Sequence, residues 1–131
     1  MKQATIAVDF LVGREAHGPV LTLNEPLSFW GGFSTGSGRI VNPEHPQYGA
    51  SLTGKIVLMR AARGSSSSTS VLLEAVRLGT APAALVMEVC DVILSVGAAA
   101  AIELYGSGTA VARVDSLPDI ADSIPVSLVS G

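Results

Sequence analysis

Apolar and polar positions alternate from Ala4 to Val12, with Ile6, Val8, Phe10 and Val12 on one face, and this predicts a first β-strand. Gly13 and Gly18-Pro19 then bracket a turn, and Val20 to Leu23 predict a second strand, interrupted by Asn24-Glu25-Pro26. An aromatic-rich segment, Leu27 to Phe33, closes on the pair Gly31-Gly32. From Ser34 to Gly54 no period holds, so a long loop is expected, and in a compact domain such loops carry function or an interface. Leu52 to Met59 returns to a strand, followed by Arg60-Ala61-Ala62-Arg63 and a run of hydroxyl residues. Val71 to Leu78 has a helical period that turns Val71, Leu72, Ala75 and Val76 inward and Glu74 and Arg77 outward, with Gly79 as its stop. Ala83 to Met87 reads as a short buried strand. Asp91 is placed to cap a helix from Val92 to about Tyr105, although Gly97 weakens its continuity. Ala110 to Val114 and Pro125 to Val129 predict two closing strands. Strand, crossover helix and parallel strand in succession predict a right-handed βαβ unit, so the chain belongs to the α/β class.

Composition narrows the possibilities. A chain of 131 residues is read as one domain, 1–131, and 48% hydrophobic against 15% charged residues fits a well-buried core. The apolar residues are mostly Ala, Val and Leu, which predicts tight packing of small side chains and surface covered by a partner. A net charge of -3 with no Lys/Arg cluster argues against nucleic acid as a partner. No apolar run approaches the roughly 18 residues that a membrane span needs, and no cleavage pattern follows the N-terminus. A soluble, cytoplasmic protein is expected, with no membrane partner.

The candidate chemistry sits at Arg63-Gly64-Ser65-Ser66-Ser67-Ser68-Thr69-Ser70, between a strand and a helix. The first amides of a helix lack intrahelical partners and carry partial positive charge, so a glycine and small hydroxyl residues ahead of them make an anion-binding corner. This corner falls at the carboxyl edge of the predicted parallel strands, where open α/β sheets place ligands. A flexible serine linker is the alternative. Phe29, Trp30 and Phe33 read either as core or, beside Gly31 and Gly32, as a cofactor- or partner-facing loop. His45, inside Asn42-Pro43-Glu44-His45-Pro46, reads as a ligand, an acid/base or a structural hydrogen-bonder. Cys90, just before a helix, is read as an inert buried thiol, with a dipole-activated one as the alternative.

One cysteine and two separated histidines, His17 and His45, do not make a metal site within the chain. No nucleophile–base constellation and no P-loop is present. A good anion corner without a complete catalytic set points to a second chain.

Taken together, these segments resemble the small subunit of aconitase X, the swivelling domain of aconitase-type dehydratases. The resemblance rests on Glu25-Pro26-Leu27-Ser28-Phe29-Trp30-Gly31-Gly32, His45-Pro46 with Gly49, Gly54-Lys55-Ile56-Val57-Leu58, and Arg63-Gly64-Ser65-Ser66-Ser67-Ser68. It continues through Leu72-Leu73-Glu74-Ala75, Gly79-Thr80-Ala81-Pro82-Ala83-Ala84, Asp91-Val92-Ile93-Leu94 and Gly97-Ala98. It implies a swivelling β/β/α fold, a barrel-like sheet with flanking helices. It also implies a larger partner subunit that holds an iron–sulfur cluster, with no metal bound by this chain, in a heterodimer or higher assembly.

By the same resemblance Ser65 is the catalytic base. Arg63, Gly64, Ser66 and Ser67 contact substrate, and Trp30, Gly31, Gly32 and His45 belong to a loop facing the partner or the cluster. Aconitases carry an arginine where this chain has Ser67, so a tricarboxylate substrate is not expected. Two activities are known for the family, dehydration of cis-3-hydroxy-L-proline to a pyrroline carboxylate and dehydration of mevalonate 5-phosphate. Ser67-Ser68 and Glu103-Leu104-Tyr105-Gly106 look more like bacterial members, and Phe33-Ser34-Thr35 departs from the archaeal Val-Asp-Pro, so the hydroxyproline substrate is expected. The readings from other classes are a non-catalytic swivelling carrier, which would need a histidine in a mobile Gly/Ser context, and a purely structural assembly subunit.

Overall fold

The computed structural model describes residues 3–63 and 67–131, the side chain of Arg63 excepted. In chain order the elements are β1 (Ala4–Val12), β2 (Ala16–Thr22), β3 (Leu27–Ser28) and a four-residue turn, α1 (Phe29–Gly32). They continue as β4 (Ile56–Arg63), α2 (Ser67–Leu78), β5 (Ala84–Val89), α3 (Val92–Tyr105), β6 (Ala110–Arg113) and β7 (Pro125–Ser130). The strands are ordered β2-β7-β1-β6-β5-β4, and β2 also pairs with β4, so six strands close into a barrel. Both parallel and antiparallel ladders occur: β4, β5 and β6 run parallel, whereas β1 meets β6 and β2 meets β7 antiparallel. The parallel β4–α2–β5 unit predicted from the pattern is present.

Strand alternation sorts side chains into two cores. Ile56 and Leu58 of β4, Ala84 and Val86 of β5, and Ala110 and Ala112 of β6 point into the barrel, where they meet Ile6, Val8, Val20, Val126 and Leu128. A barrel needs about eight strands before its interior comfortably fits side chains. Six leave less room, which is the physical reason for so many Ala and Val residues and so few aromatics. The alternate residues Val57, Met59, Leu85, Met87 and Val111 point outward and are covered by Leu72 and Ala75 of α2 and by Leu94 and Ala98 of α3.

Several boundaries differ from the pattern reading, each for a packing reason. Gly18-Pro19 lies inside β2 and not at a turn. Proline has no N–H to donate, and it falls where β2 exchanges β7 for β4 as its partner. Gly18 is needed there because a Cβ would lie 2.4 Å from the carbonyl oxygen of Gly54. The strand expected from Leu52 begins at Ile56, because Leu52 and Lys55 close a turn through Gly54 at φ +69°. It then runs on through Arg60 to Arg63. The helix expected from Val71 begins at Ser67, so its first turn is built of hydroxyl residues. It stops as expected: the Thr80 N–H donates to Ala75 O and the Gly79 N–H to Val76 O, with Gly79 at φ +77°.

α3 is continuous through Gly97. A Cβ at Gly97 would meet the Thr69 Cα at 3.1 Å and its carbonyl oxygen at 3.2 Å, so the glycine lets α3 lie close against α2. Among the described residues, no helix is long and apolar enough to cross a membrane.

Candidate functional site

The carboxyl ends of β3, β4 and β5 meet at one edge of the sheet. Ser28 pairs with Arg63 and Ala61 pairs with Val89, so the ends of β3, β4 and β5 lie side by side, with α3 starting a few residues beyond β5. Gly64, Ser65 and Ser66 lie outside the described residues, but both ends of their segment are placed. Arg63 closes β4, and Ser67 is the first residue of the 12-residue helix α2. The N-terminal end of α2, with the partial positive charge of a helix start, therefore lies a few residues from the edge at which β4 ends.

The start of α2 is held firmly. Ser68 is fully buried, and the Thr69 hydroxyl donates to Ile93 O at 3.0 Å, which ties the first turn of α2 to the first turn of α3. Asp91 caps α3 as predicted, its carboxylate accepting from the Ile93 N–H at 2.7 Å. The start of α2 is thus fixed against the start of α3, at the edge where three strands end.

The aromatic segment divides. Phe29 and Phe33 are core, their ring centroids 5.3 Å apart. Trp30 is turned out and 61% exposed, in extended geometry within α1, followed by Gly31 at φ +81°. That φ favours glycine, and nothing stands within 4 Å of where a Cβ of Gly31 would be. Gly32 is buried, with the Leu27 side chain 3.3 Å from its would-be Cβ. Ser28 Oγ donates to Trp30 O at 3.0 Å and closes the turn on itself.

His45 belongs to the neighbouring loop, but its ring faces inward. It is buried, Nδ1 accepts from the Gln47 N–H at 3.0 Å, and Nε2 donates to Glu25 O at 3.1 Å. With both nitrogens engaged inside the chain, His45 acts as a structural hydrogen-bonder in this structure, the third of the readings its sequence context allowed. A small cavity of about 230 Å³ lies beside it, lined by Glu25, Ser28, Asn42 and Glu44 among others. Gln47 and Asn42, which link these loops, carried no signal in the sequence pattern. Gln47 acts through contacts across more than 20 residues of chain, and Asn42 through local bonds to the Glu44 and His45 amides.

Cys90 is half-buried and its thiol donates to Ala112 O at 3.6 Å. Burial pushes its pKa up, Arg113 opposes this and Asp9 adds to it, which favours the inert reading. Among the described residues no group of three His, Cys, Asp or Glu stands close enough to hold a metal ion. The donors of this chain do not fit an iron–sulfur cluster, which needs several thiolates.

A closed mixed barrel with two helices on one side and a strand–serine–helix corner at its edge is a swivelling β/β/α domain. Residues 5–126 match the family model described as the aconitase X swivel domain, and the chain belongs to that family. It is 39% identical over 113 residues to a cis-3-hydroxy-L-proline dehydratase of Pseudomonas aeruginosa, covering 86% of this chain but 20% of that protein. It is 38% identical over 84 residues to a phosphomevalonate dehydratase small subunit of Methanothermobacter thermautotrophicus, covering 64% of each. The chain therefore spans a fifth of the length of the first relative and under two thirds of the second.

In three dimensions it is similar to a chain of Thermococcus kodakaraensis aconitase X, with a TM-score of 0.76 over 92% of this chain and 88% of that one at 24% identity. A second similar structure, solved in solution by NMR, has a TM-score of 0.79 at 25% identity and covers 93% of this chain and 89% of that one. These likenesses establish the fold.

Proposed function

We propose that this chain is the small subunit of an aconitase X-type hydro-lyase and that its β4–α2 corner supplies the catalytic base, Ser65, to a site shared with a larger subunit. The observation that carries this is the convergence at one edge of the β4 end, the α2 N-terminus and the exposed Trp30–Gly31 turn. The preferred substrate is cis-3-hydroxy-L-proline. The relative acting on it is similar along 86% of this chain, against 64% for the phosphomevalonate subunit at nearly equal identity.

In this reading Ser65 Oγ, as alkoxide, takes the proton from C2, next to the carboxylate, the C2–H electrons form the C2–C3 double bond, and the C3 hydroxyl departs as hydroxide. Passing that proton on from Ser65 to the hydroxide gives water, restores the base and leaves a pyrroline-2-carboxylate. An iron–sulfur cluster on the larger subunit would supply a Lewis acid for the departing hydroxyl. A free serine is too weak an acid to react as an alkoxide in water. Amides at the helix start and the nearby Arg63 would hold the developing charge in a site closed to water. Gly64 would let the substrate carboxylate approach the backbone, and Ser66 and Ser67 would bind that carboxylate or orient Ser65. Trp30, Gly31 and Gly32 would lie against the partner, with His45 supporting them from within.

The phosphomevalonate reading is favoured by one observation, that relatives of that name are separate small subunits. The test is anaerobic co-purification with the cognate large subunit, followed by assay of cis-3-hydroxy-L-proline and mevalonate 5-phosphate in parallel. Turnover of the proline alone is expected, and Ser65→Ala should lower kcat by about 10²–10⁴-fold without preventing assembly. Undiminished turnover in that variant would remove Ser65 from the reaction, and turnover of mevalonate 5-phosphate alone would reassign the substrate.

A further inference from the structure

The Trp30 turn is strapped at both ends to one short stretch of the long loop, residues 41–47. At its entrance, Glu25 O accepts from His45 Nε2 at 3.1 Å, three residues before Ser28 pairs with Arg63. At its exit, Gly32 O accepts from the Val41 N–H at 2.9 Å. The stretch is itself wound tight: Asn42 O accepts from the His45 N–H at 3.1 Å, Asn42 Oδ1 accepts from the Glu44 N–H at 3.0 Å, and His45 Nδ1 accepts from the Gln47 N–H at 3.0 Å.

Gln47 then ties this stretch to the end of β2, a strand of the barrel wall. Its Nε2 donates to Thr22 O at 3.0 Å and its Oε1 accepts from the Asn24 N–H at 3.2 Å. The bonding runs from the barrel wall through Gln47 and His45 to both ends of a turn whose middle, Trp30-Gly31, has few contacts of its own.

We propose that His45 and Gln47 are positioning residues that brace the Trp30 turn in a preset conformation at the edge where β4 ends. Neither reaches the outer edge itself: His45 is buried, and the side chain of Gln47 is spent on β2. A flexible turn bearing a large exposed aromatic would have to be ordered each time it met a partner, at a cost in conformational entropy. The brace settles that ordering during folding. Its importance to catalysis rests on the function proposed above, whereas its existence does not.

Trp30 is the one tryptophan in the sequence, so intrinsic fluorescence of the full chain reports directly on this turn. Gln47→Ala and His45→Asn separate the links. The asparagine can still accept from the Gln47 N–H, but it is too short to reach Glu25 O. Thr53→Val, which removes the bond from Thr53 Oγ1 to Thr80 O elsewhere in the same long loop, controls for general destabilisation.

Both brace variants should lower Trp30 anisotropy, raise its acrylamide quenching constant and speed amide exchange at Val41, and Thr53→Val should change none of these. Gln47→Glu, which keeps the bond from Asn24, should fall between Gln47→Ala and the parent and serves if the alanine variant does not fold. In the complex, kcat/KM should fall by roughly 10- to 100-fold as the turn loses its position. Urea midpoints that fall while the Trp30 signals stay at parent values would overturn the brace. An inactive parent complex would overturn the functional reading alone and leave the fluorescence result standing.

Discussion

Residues of similar character in the sequence have been given different work by their surroundings. Phe29 and Trp30 are adjacent aromatics, but one is fully buried, which contributes about 2 kcal/mol, and the other faces solvent. Cys90 shows the same dependence on place. Burial raises its pKa, so the folded chain favours the neutral thiol while the unfolded chain ionises at the ordinary value. The unfolded state then binds fewer protons than the folded one as pH rises above about 8.5, and stability falls in that window. The contribution is fully present below the ordinary thiol pKa and is lost as pH climbs through the raised one. Urea midpoints measured from pH 7 to 10 should decline less steeply in Cys90→Ala than in the parent. Equal slopes would show that the thiol does not titrate differently in the two states.

Among elements, the helices were more legible than the strands that carry them. α3 has the predicted limits and cap, because an Asp followed by a long apolar run is a local signal. α2 began four residues earlier than its apolar period, since Ser67 to Ser70 are poor helix formers and tertiary contacts hold them: Ser68 is buried and Thr69 is bonded to Ile93. The cap on α3 should matter measurably. Asp91→Ala removes the acceptor for the Ile93 N–H and should cost about 1 kcal/mol, read as a lower urea midpoint with little loss of far-UV helix signal. A midpoint equal to the parent's would mean that Thr69 alone secures this helix start. β3 had no signal, since a two-residue strand has no period and exists only because β4 extends past β2 and leaves an edge to pair.

Across the whole molecule, apolar surface gathers around the edge that carries the corner. Trp30, Val89 at 59% exposure and Val92 at 75% stand near it, and Val96 continues along the outer face of α3. These side chains are exposed here, and the excess of Ala, Val and Leu in the composition had suggested such a surface. If this rim meets the larger subunit, Val92→Glu with Val96→Glu should abolish co-purification of the complex. The folded chain itself should stay within about 0.5 kcal/mol of the parent, because both sites are exposed and a carboxylate in the first helical turn suits the helix dipole. An intact complex from the double variant would move the interface elsewhere.

The sequence by itself determined what depends on near neighbours. Period-2 and period-3.6 patterns located most strands and both helices, Gly79 and Asp91 marked a stop and a start, and the Arg63-Gly64-Ser65 corner stood out between a strand and a helix. These features are set by sterics and hydrogen bonds within a few residues, so the chain states them locally. Only the tertiary structure decided what depends on closure. The pairing of β2 with both β7 and β4 turns a sheet into a barrel, which makes Gly18-Pro19 strand instead of turn and fills the interior with aliphatic side chains. It also brings residues 22–25 against residues 45–47, so that His45 becomes a buried link and Gln47 acquires a role. No local pattern specifies such contacts, because their energy is released only when distant segments meet around a common core.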